Sequence, residues 1–594
     1  MADDEGPRGP GGAGGPGAGR PGGPGGPAGG GRQRSGAAKW GPLAVVGVVV
    51  VAVVAFALIS GSGDDEASTD DTASGGAGNG PVELPDGVMS FSVAEEEGTV
   101  DDIDWGERCD VERGQYAFPS FFAAECFAPF EGDNGGETAT GVTADTIKVV
   151  QYLTPETDPV IDYITGAISV DDTNAEIAET LQNWTQFYND FYELYGRKVE
   201  LEIYEGTGPS DDAVAARADA VQIAEENEPF AVLGGPLLNP AFAEELAARE
   251  VLCISCTPGQ PDQFYEDNAP YVWGVGNNPE QGQVHTAQYV TRRLAGRPAE
   301  YAGDEAFQGE DRVFGLVYLE TSQGSTELAD AFEEKLADGD VELAARIAYA
   351  SPVDLQSTAE SVIAKLKEAG VTTVIFTGDP IAPQPLTLAA TSQDYFPEWV
   401  TTGSALVDTT TFARTYDQEQ WAHAFGVSTL SARVSPEASG TLFLYKWYFG
   451  EDPPASTGAP TLQPNLSLFY AVLQGVGPDL TPENWGATLF NADPTPRSIS
   501  QPSLSYGDKG IWPATDYLGI DDATEIWWDP DATGPDEIQR DGTGMWRYVD
   551  GGTRYLPGEW PDTAPNVFVD EGAVTIYDEA PAAETFPTYP SPAD

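Results

Sequence analysis

Residues 251–261 read VLCISCTPGQP, a C-x-x-C set between an apolar run and a Pro/Gly-rich turn. Three chemistries use such a pair: a redox couple, half of a zinc site, or a bridge that shapes the lip of a binding cleft. A thioredoxin-like couple needs a helix where Pro258 and Gly259 stand, and no histidine lies near to complete a zinc set. The remaining cysteines, Cys109 and Cys126, flank RGQYAFPSFFAAE and suit a disulfide clip in a segment too small for its own core. In an unbroken strand Cys253 and Cys256 would stand ~10 Å apart, beyond the ~4.4–6.8 Å Cα spacing of a disulfide. A bridge therefore requires the strand to break at Ile254–Ser255, leaving Thr257, Gly259 and Gln260 to face a ligand.

Catalytic chemistry finds little footing. The chain has two histidines, His285 and His423, each in a helix-like context without a nucleophile or carboxylate at a known spacing. No G-x-S-x-G, H-E-x-x-H or phosphate-binding loop occurs, so the expectation is a non-enzyme without cofactor. Residues 529–540, DPDATGPDEIQR, space oxygens as a calcium loop does, but Arg540 takes the place of the bidentate Glu. An acidic turn is the better reading, and no metal site is expected.

The elements around these residues fix the compartment. Residues 1–40 are Gly, Pro, Ala and Arg rich and read as a disordered cytoplasmic tail. Residues 42–60, PLAVVGVVVVAVVAFALIS, carry no charge and match a ~30 Å hydrocarbon layer as a helix, so 41–60 is expected to be a single transmembrane anchor. Arg20, Arg32, Arg34 and Lys39 precede it and GSGDDEASTDD follows, which orients the N-terminus inward and the rest outward. A cleaved signal peptide is the competing reading. With 96 Asp plus Glu against 28 Lys plus Arg, a formal charge of −68, the exterior part repels nucleic acid. Residues 61–100 read as an acidic linker, 101–140 as the Cys-clipped extension and 563–594 as a loose tail.

From residue 141 strands and helices alternate. IKVVQYL, VELEIYEG, FAVLGGP and VLCIS are strands; Leu181, Trp184, Phe187, Phe191 and Leu194 mark one helical stripe between the first two. A second series restarts at RVFGLVYLE, with VELAARIAY and VTTVIFTGD as later strands. This order predicts an α/β protein with two Rossmann-like lobes on parallel sheets: 141–290 plus 430–500, and 300–430 plus C-terminal elements up to 562. Trp527, Trp528, Trp546, Tyr548, Tyr555 and Trp560 are expected as core, since MWRYV alternates as a half-buried strand does.

The segments GVTADTIKVV, GRKVELEIYE, PFAVLGGPLLNPAFAEELAAREVLCIS, LYKWYFGEDPP, NLSLFYAVLQGVGPDLTPENWGATLF and GTGMWRYVDGG resemble, in order, those of the type I periplasmic binding proteins. These are the Leu/Ile/Val-binding-protein-like substrate-binding components of ABC transporters. The resemblance spans about residues 141–555, and the stretch from Cys109 through FEGDNGGETATGVT resembles a membrane-anchored branch in actinobacteria. It implies a Venus-flytrap with ligand between the lobes. Open parallel sheets bind at the carboxyl ends of their strands, which nominates Tyr152, Leu153 and Thr154; Gly234, Gly235, Pro236, Leu237 and Leu238; Cys256, Thr257, Pro258, Gly259 and Gln260; and, from the second lobe, Thr377, Gly378, Asp379, Gly403 and Ser404.

In amino-acid-binding members hydroxyl residues after the third and fourth strands hold the ligand carboxylate. Here Leu238 and Gly259 or Gln260 occupy those positions, so an α-amino acid is a doubtful ligand. Asp379 has two readings, a ligand contact or a cap for the next turn. The expected function is a membrane-tethered extracellular protein that delivers a small molecule to ABC permease and ATPase subunits. The alternative is a sensing or structural ectodomain that uses the same fold without transport.

Overall fold

The computed structural model describes residues 84–159 apart from 86, 172–320 and 323–593. The N-terminal tail, the apolar run 42–60 and most of the acidic linker lie outside the described residues. Among the described residues no helix is long and apolar enough to cross a membrane.

The described part of the chain opens with α1 (Phe91–Glu97) and a two-stranded ribbon, β1 (Cys109–Asp110) and β2 (Gln115–Tyr116), and a disulfide joins Cys109 of β1 to Cys126 beyond the ribbon. This extension is not a separate unit, because Phe91, Trp105, Tyr116 and Phe118 belong to the first lobe's apolar core. Polar ties fix it there: the Tyr116 hydroxyl donates to Gln474 Oε1 (2.6 Å), and Gln474 Nε2 donates to the Glu125 carbonyl (3.0 Å).

The first lobe is wound on β3 (Thr146–Leu153), α2 (Asn174–Phe191), β4 (Lys198–Glu205), α3 (Ala213–Gln222), β5 (Ala231–Leu233), α4 (Ala241–Ala247), β6 (Leu252–Ile254) and β7 (Val272–Trp273). The five strands are parallel in the order β4-β3-β5-β6-β7. Helix α2 starts on a capping box between Thr173 and Glu176 and buries Leu181, Trp184, Phe187 and Phe191, one stripe at helical spacing.

The chain passes to the second lobe at residues 274–278, earlier than the expected boundary near 290. Helix α5 (Pro279–Tyr289) already packs there, since Ala287 and Tyr289 share a core with Phe314 and Leu316. Next come β8 (Phe314–Leu319), α6 (Gln323–Ala337), β9 (Leu343–Tyr349), α7 (Pro352–Glu368), β10 (Thr373–Thr377), α8 (Pro383–Ser392), β11 (Glu398–Thr402) and β12 (Ala424–Ser428). These five strands are parallel in the order β9-β8-β10-β11-β12, the first lobe's winding repeated.

A short strand, β13 (Arg433–Val434), leads back to α9 (Thr441–Phe449), α10 (Ala459–Val476) and α11 (Pro482–Asn491), which cover the first lobe's sheet. After the hairpin β14 (Leu504–Gly507) and β15 (Asp516–Ile520), the chain crosses again at Asp521 and Asp522. Strands β16 (Ala523–Pro535), β17 (Asp541–Tyr548) and β18 (Arg554–Tyr555) extend the second sheet in antiparallel fashion. Trp528, Trp546 and Trp560 are buried there as core. Residues 529–540 thus form a strand and a turn: Asp536 Oδ1 accepts from the N–H groups of Ile538 (3.1 Å) and Arg540 (2.9 Å), closing the acidic turn internally.

Residues past 562 correct the expectation of a loose tail. β19 (Ile576–Tyr577) pairs with β13, Glu584 accepts from Ser498 Oγ (2.6 Å), and the Tyr589 hydroxyl donates to Asp110 Oδ2 (2.6 Å). A polar, Pro-rich segment can be ordered when its carboxylates and rings find fixed partners. Its composition does not reveal those partners.

Candidate functional site

The carboxyl ends of both sheets face a cavity of about 1060 Å³, the position expected for ligands of open parallel sheets. At the end of β5 the backbone turns through Gly234 (φ 70°), and a Cβ at Gly235 would stand 2.6 Å from the Cys256 carbonyl oxygen. Two glycines are therefore needed where the third and fourth strand ends close on each other. Buried Gln151 ties the ends of β3 and β5 by donating to the carbonyls of Tyr152 and Leu233, both at 3.0 Å.

Strand β6 stops at Ile254, and Ser255 takes φ 55°. That break brings the Cα atoms of Cys253 and Cys256 to 5.7 Å, and the two are disulfide-bonded. The pair is thus neither free nor available to metal. Both sulfurs are buried behind the lip, while Ser255, Pro258, Gly259 and Gln260 line the cavity.

The nominated residues divide into two groups. Tyr152, Leu153, Thr154, Gly234, Gly235, Leu237, Leu238, Pro258, Gly259, Gln260, Thr377, Gly378, Gly403 and Ser404 line the cavity. Ser404 joins the ends of two second-lobe strands, since Oγ accepts from the Gly378 N–H (3.2 Å) and the Thr402 hydroxyl (3.1 Å). Leu238 also joins the apolar cluster that holds Ile381, Leu406 and Phe412 of the second lobe, so the lobes meet there.

Pro236, Cys256, Thr257 and Asp379 lie off the cavity surface. Thr257 is 1 % exposed, and its hydroxyl donates to the Asn239 carbonyl (3.4 Å) and accepts from Gln260 Nε2 (3.3 Å). Asp379 is 4 % exposed and serves as a cap. Its Oδ1 accepts from the Ile381 and Ala382 N–H groups, both at 2.9 Å, and its Oδ2 accepts from the Tyr349 hydroxyl at 2.6 Å. Burial raises its pKa, and these donors oppose that rise. With its lone pairs directed at its own turn and at Tyr349, it is corrected from ligand contact to structural cap.

Several lining residues were not nominated. Asn277, Glu280 and Gln283 come from the first crossing and α5, and Leu328 and Phe332 from α6. Thr461, Leu462 and Asn465 come from the start of α10. Nothing local marks these positions, because they lie on helices and a crossing segment instead of strand ends. The Pro-rich opening of α10, APTLQPN, is the one visible signal: Pro464 stands inside the helix where it borders the cavity.

Among the described residues no Arg, Lys or His lines the cavity, whereas Glu156, Asp172, Glu280, Glu327 and Asp408 do. Burial pushes Asp408 up to about 7 against a hydrogen bond from Ser428. Glu280 also rises to about 7, through burial first and the nearby Asp262 charge after it, with Lys335 pulling the other way. The histidines serve packing. His285 is buried between the Asp521 carbonyl (3.0 Å) and Trp560 Nε1 (3.2 Å), and burial holds its pKa down to about 4. His423 Nδ1 meets the Tyr301 carbonyl at 2.8 Å.

The family described as periplasmic binding protein matches residues 159–498, more than half of the chain. The chain belongs to that family. Solved structures similar to this periplasmic binding protein include an ABC-transporter solute-binding protein of Rhodopseudomonas palustris BisB5, in complex with 3,4-dihydroxybenzoic acid. It is 11% identical with a TM-score of 0.46 and covers 70% of this chain and 98% of its own. The branched-chain amino acid transporter substrate-binding protein LivJ of Streptococcus pneumoniae, in complex with isoleucine, is 13% identical with a TM-score of 0.44, covering 68% and 100%. A fatty acid ABC transporter substrate-binding protein of Thermomonospora curvata is 14% identical with a TM-score of 0.45, covering 72% and 95%. No curated protein matches.

Proposed function

We propose that this periplasmic binding protein is the extracellular solute-binding component of an ABC-type transport system, held at the outer membrane face by residues 42–60. The observation that carries the reading is the interlobe cavity, walled by the strand ends of both sheets and crossed at its back by three chain segments. Contacts to both walls exist together only when the lobes are closed, so ligand binding favours the closed state by its differential affinity. The protein binds without turning over its ligand and hands it to permease and ATPase subunits. The apolar, uncharged run and its flanking charges support the anchor.

Small-angle scattering of the protein titrated with fractionated metabolite extract tests capture, and ligand-dependent compaction is the expected result. A radius of gyration unchanged by every fraction would count against it. Affinity purification from native membranes tests delivery. Recovery of permease and ATPase subunits is expected, and their consistent absence would remove the transport reading while leaving capture intact.

A further inference from the structure

The cavity is larger than a free amino acid would fill, and much of its wall is apolar. Leu238, Leu316, Phe332, Leu406, Phe412 and Ile520 bring aliphatic and aromatic surface from both lobes into a volume of about 1060 Å³, at the upper end of what drug-sized ligands fill. The wall is also one-sided electrostatically, with acids and no cation among the described residues. Bringing a carboxylate into such a space removes it from water without a counter-charge, which is costly in a low-dielectric site.

The polar groups that remain are neutral or accepting. Asn465 is 6 % exposed and lines the cavity, and its side-chain amide has no hydrogen-bond partner among the described residues. Thr377 lines the opposite wall, its hydroxyl likewise unpaired among them. On α5, one turn apart, Glu280 Oε2 and Gln283 Oε1 are buried without a donor. The Gln283 assignment follows from its Nε2, which donates to the Leu328 carbonyl at 2.9 Å. The Asn465 amide and the Thr377 hydroxyl border the cavity and can meet a partner that offers and accepts hydrogen bonds.

Resting on the solute-binding reading, we infer that the cleft takes an electrically neutral, largely apolar molecule of drug size carrying hydroxyl groups. It rejects carboxylates of the same shape, and Asn465 is the central polar contact. The acids on the wall serve this selection by repelling anions, and the exterior charge of the chain acts in the same sense at longer range.

The test uses full-length protein in nanodiscs and a pair of polycyclic probes of similar size: hydrocortisone, neutral and hydroxylated, and cholate, a carboxylate. Thermal unfolding is recorded with each at equal concentration. Hydrocortisone is expected to raise Tm by a few degrees and cholate to leave it unchanged. Asn465→Leu is expected to weaken hydrocortisone about fivefold, the scale of one neutral hydrogen bond. Thr377→Lys places a cation at a strand end without emptying the core and is expected to invert the preference toward cholate. Should Asn465→Leu fail to fold, the Thr377→Lys inversion still decides the matter. A cholate shift equal to or larger than that of hydrocortisone overturns the ligand class and leaves solute binding standing. A shift with neither probe also overturns it, and the scattering titration then judges solute binding separately.

Discussion

The two lobes share one strand order but are held together by different chemistry. The first contains both disulfides, and its ion pairs, such as Arg217–Glu244 and Arg249–Glu225, sit on the surface. The second lobe has no cysteine and, beside surface pairs such as Arg346–Asp330, contains buried ones: Arg312–Glu398 (2.7 Å), Arg293–Glu525 (3.3 Å) and Arg554–Asp522 (2.9 Å). Arg554 further donates to the carbonyls of Thr429 (2.9 Å) and Leu430 (2.6 Å), joining two of the three crossings. One lobe is closed covalently around an aromatic core. The other carries buried ionic networks next to the segments that must bend, so loss of a disulfide and loss of a buried ion pair should act on different halves of the molecule.

The largest expected effect is on the ionic side. Arg312 donates to both Glu398 oxygens, at 2.7 and 2.9 Å, with both side chains almost fully buried. Arg312→Met leaves an unpaired buried carboxylate and should destabilise by about 3–5 kcal/mol in urea unfolding. A loss under 1 kcal/mol would erase the contrast between the lobes.

Next is the covalent side. The Cys109–Cys126 bridge spans 17 residues of sequence, and chain-entropy reasoning gives about 3 kcal/mol for its removal by Cys109→Ala/Cys126→Ala. The Cys253–Cys256 bridge closes a separation of 3 and should contribute about 2 kcal/mol by the same reasoning. Its removal should release the lip, seen as faster hydrogen exchange over residues 252–260. Equal losses for the two bridges would show that loop length is not what ranks them.

The smallest effect per group, on the order of 1 kcal/mol per pH unit for each acid, concerns the carboxyl groups beside the third crossing. Burial pushes Asp521 up to about 8 and Asp516 and Glu525 up to about 7. The folded chain therefore keeps protons that the unfolded chain has released, and stability falls as pH rises toward 8. His285, held down to about 4, opposes this only below the ordinary histidine pKa. Tm should drop between pH 6 and 8.5, with a shallower slope in Asp521→Asn. A flat profile in the parent protein would remove pH from the comparison.

Much of the fold is legible residue by residue. The mostly apolar IKVVQYL and the Leu181, Trp184, Phe187 stripe become β3 and the buried face of α2, because sequence pattern and burial are coupled locally. The break at Ser255 was forced by the reach of a disulfide across a strand. Strand ends also led to most of the lining from Tyr152 to Ser404. The remainder of the site was hidden because α10 returns from residue 459 to wall a cavity begun at residue 152, and apart from Pro464 nothing near Asn465 in sequence records that approach.

The sequence by itself determined the alternating elements, the repeated winding, the acidic balance and the strand break at the C-x-x-C. Each follows from local period, composition or bond reach. Only the tertiary structure decided which polar groups are spent inside the fold and which remain for a ligand. Asp379 is consumed by Tyr349 and its own turn, whereas Asn465 stays unpaired among the described residues at the cavity wall. The physical reason is that a side chain's hydrogen-bonding capacity is set by its type, but its use is set by whichever distant segment packs against it.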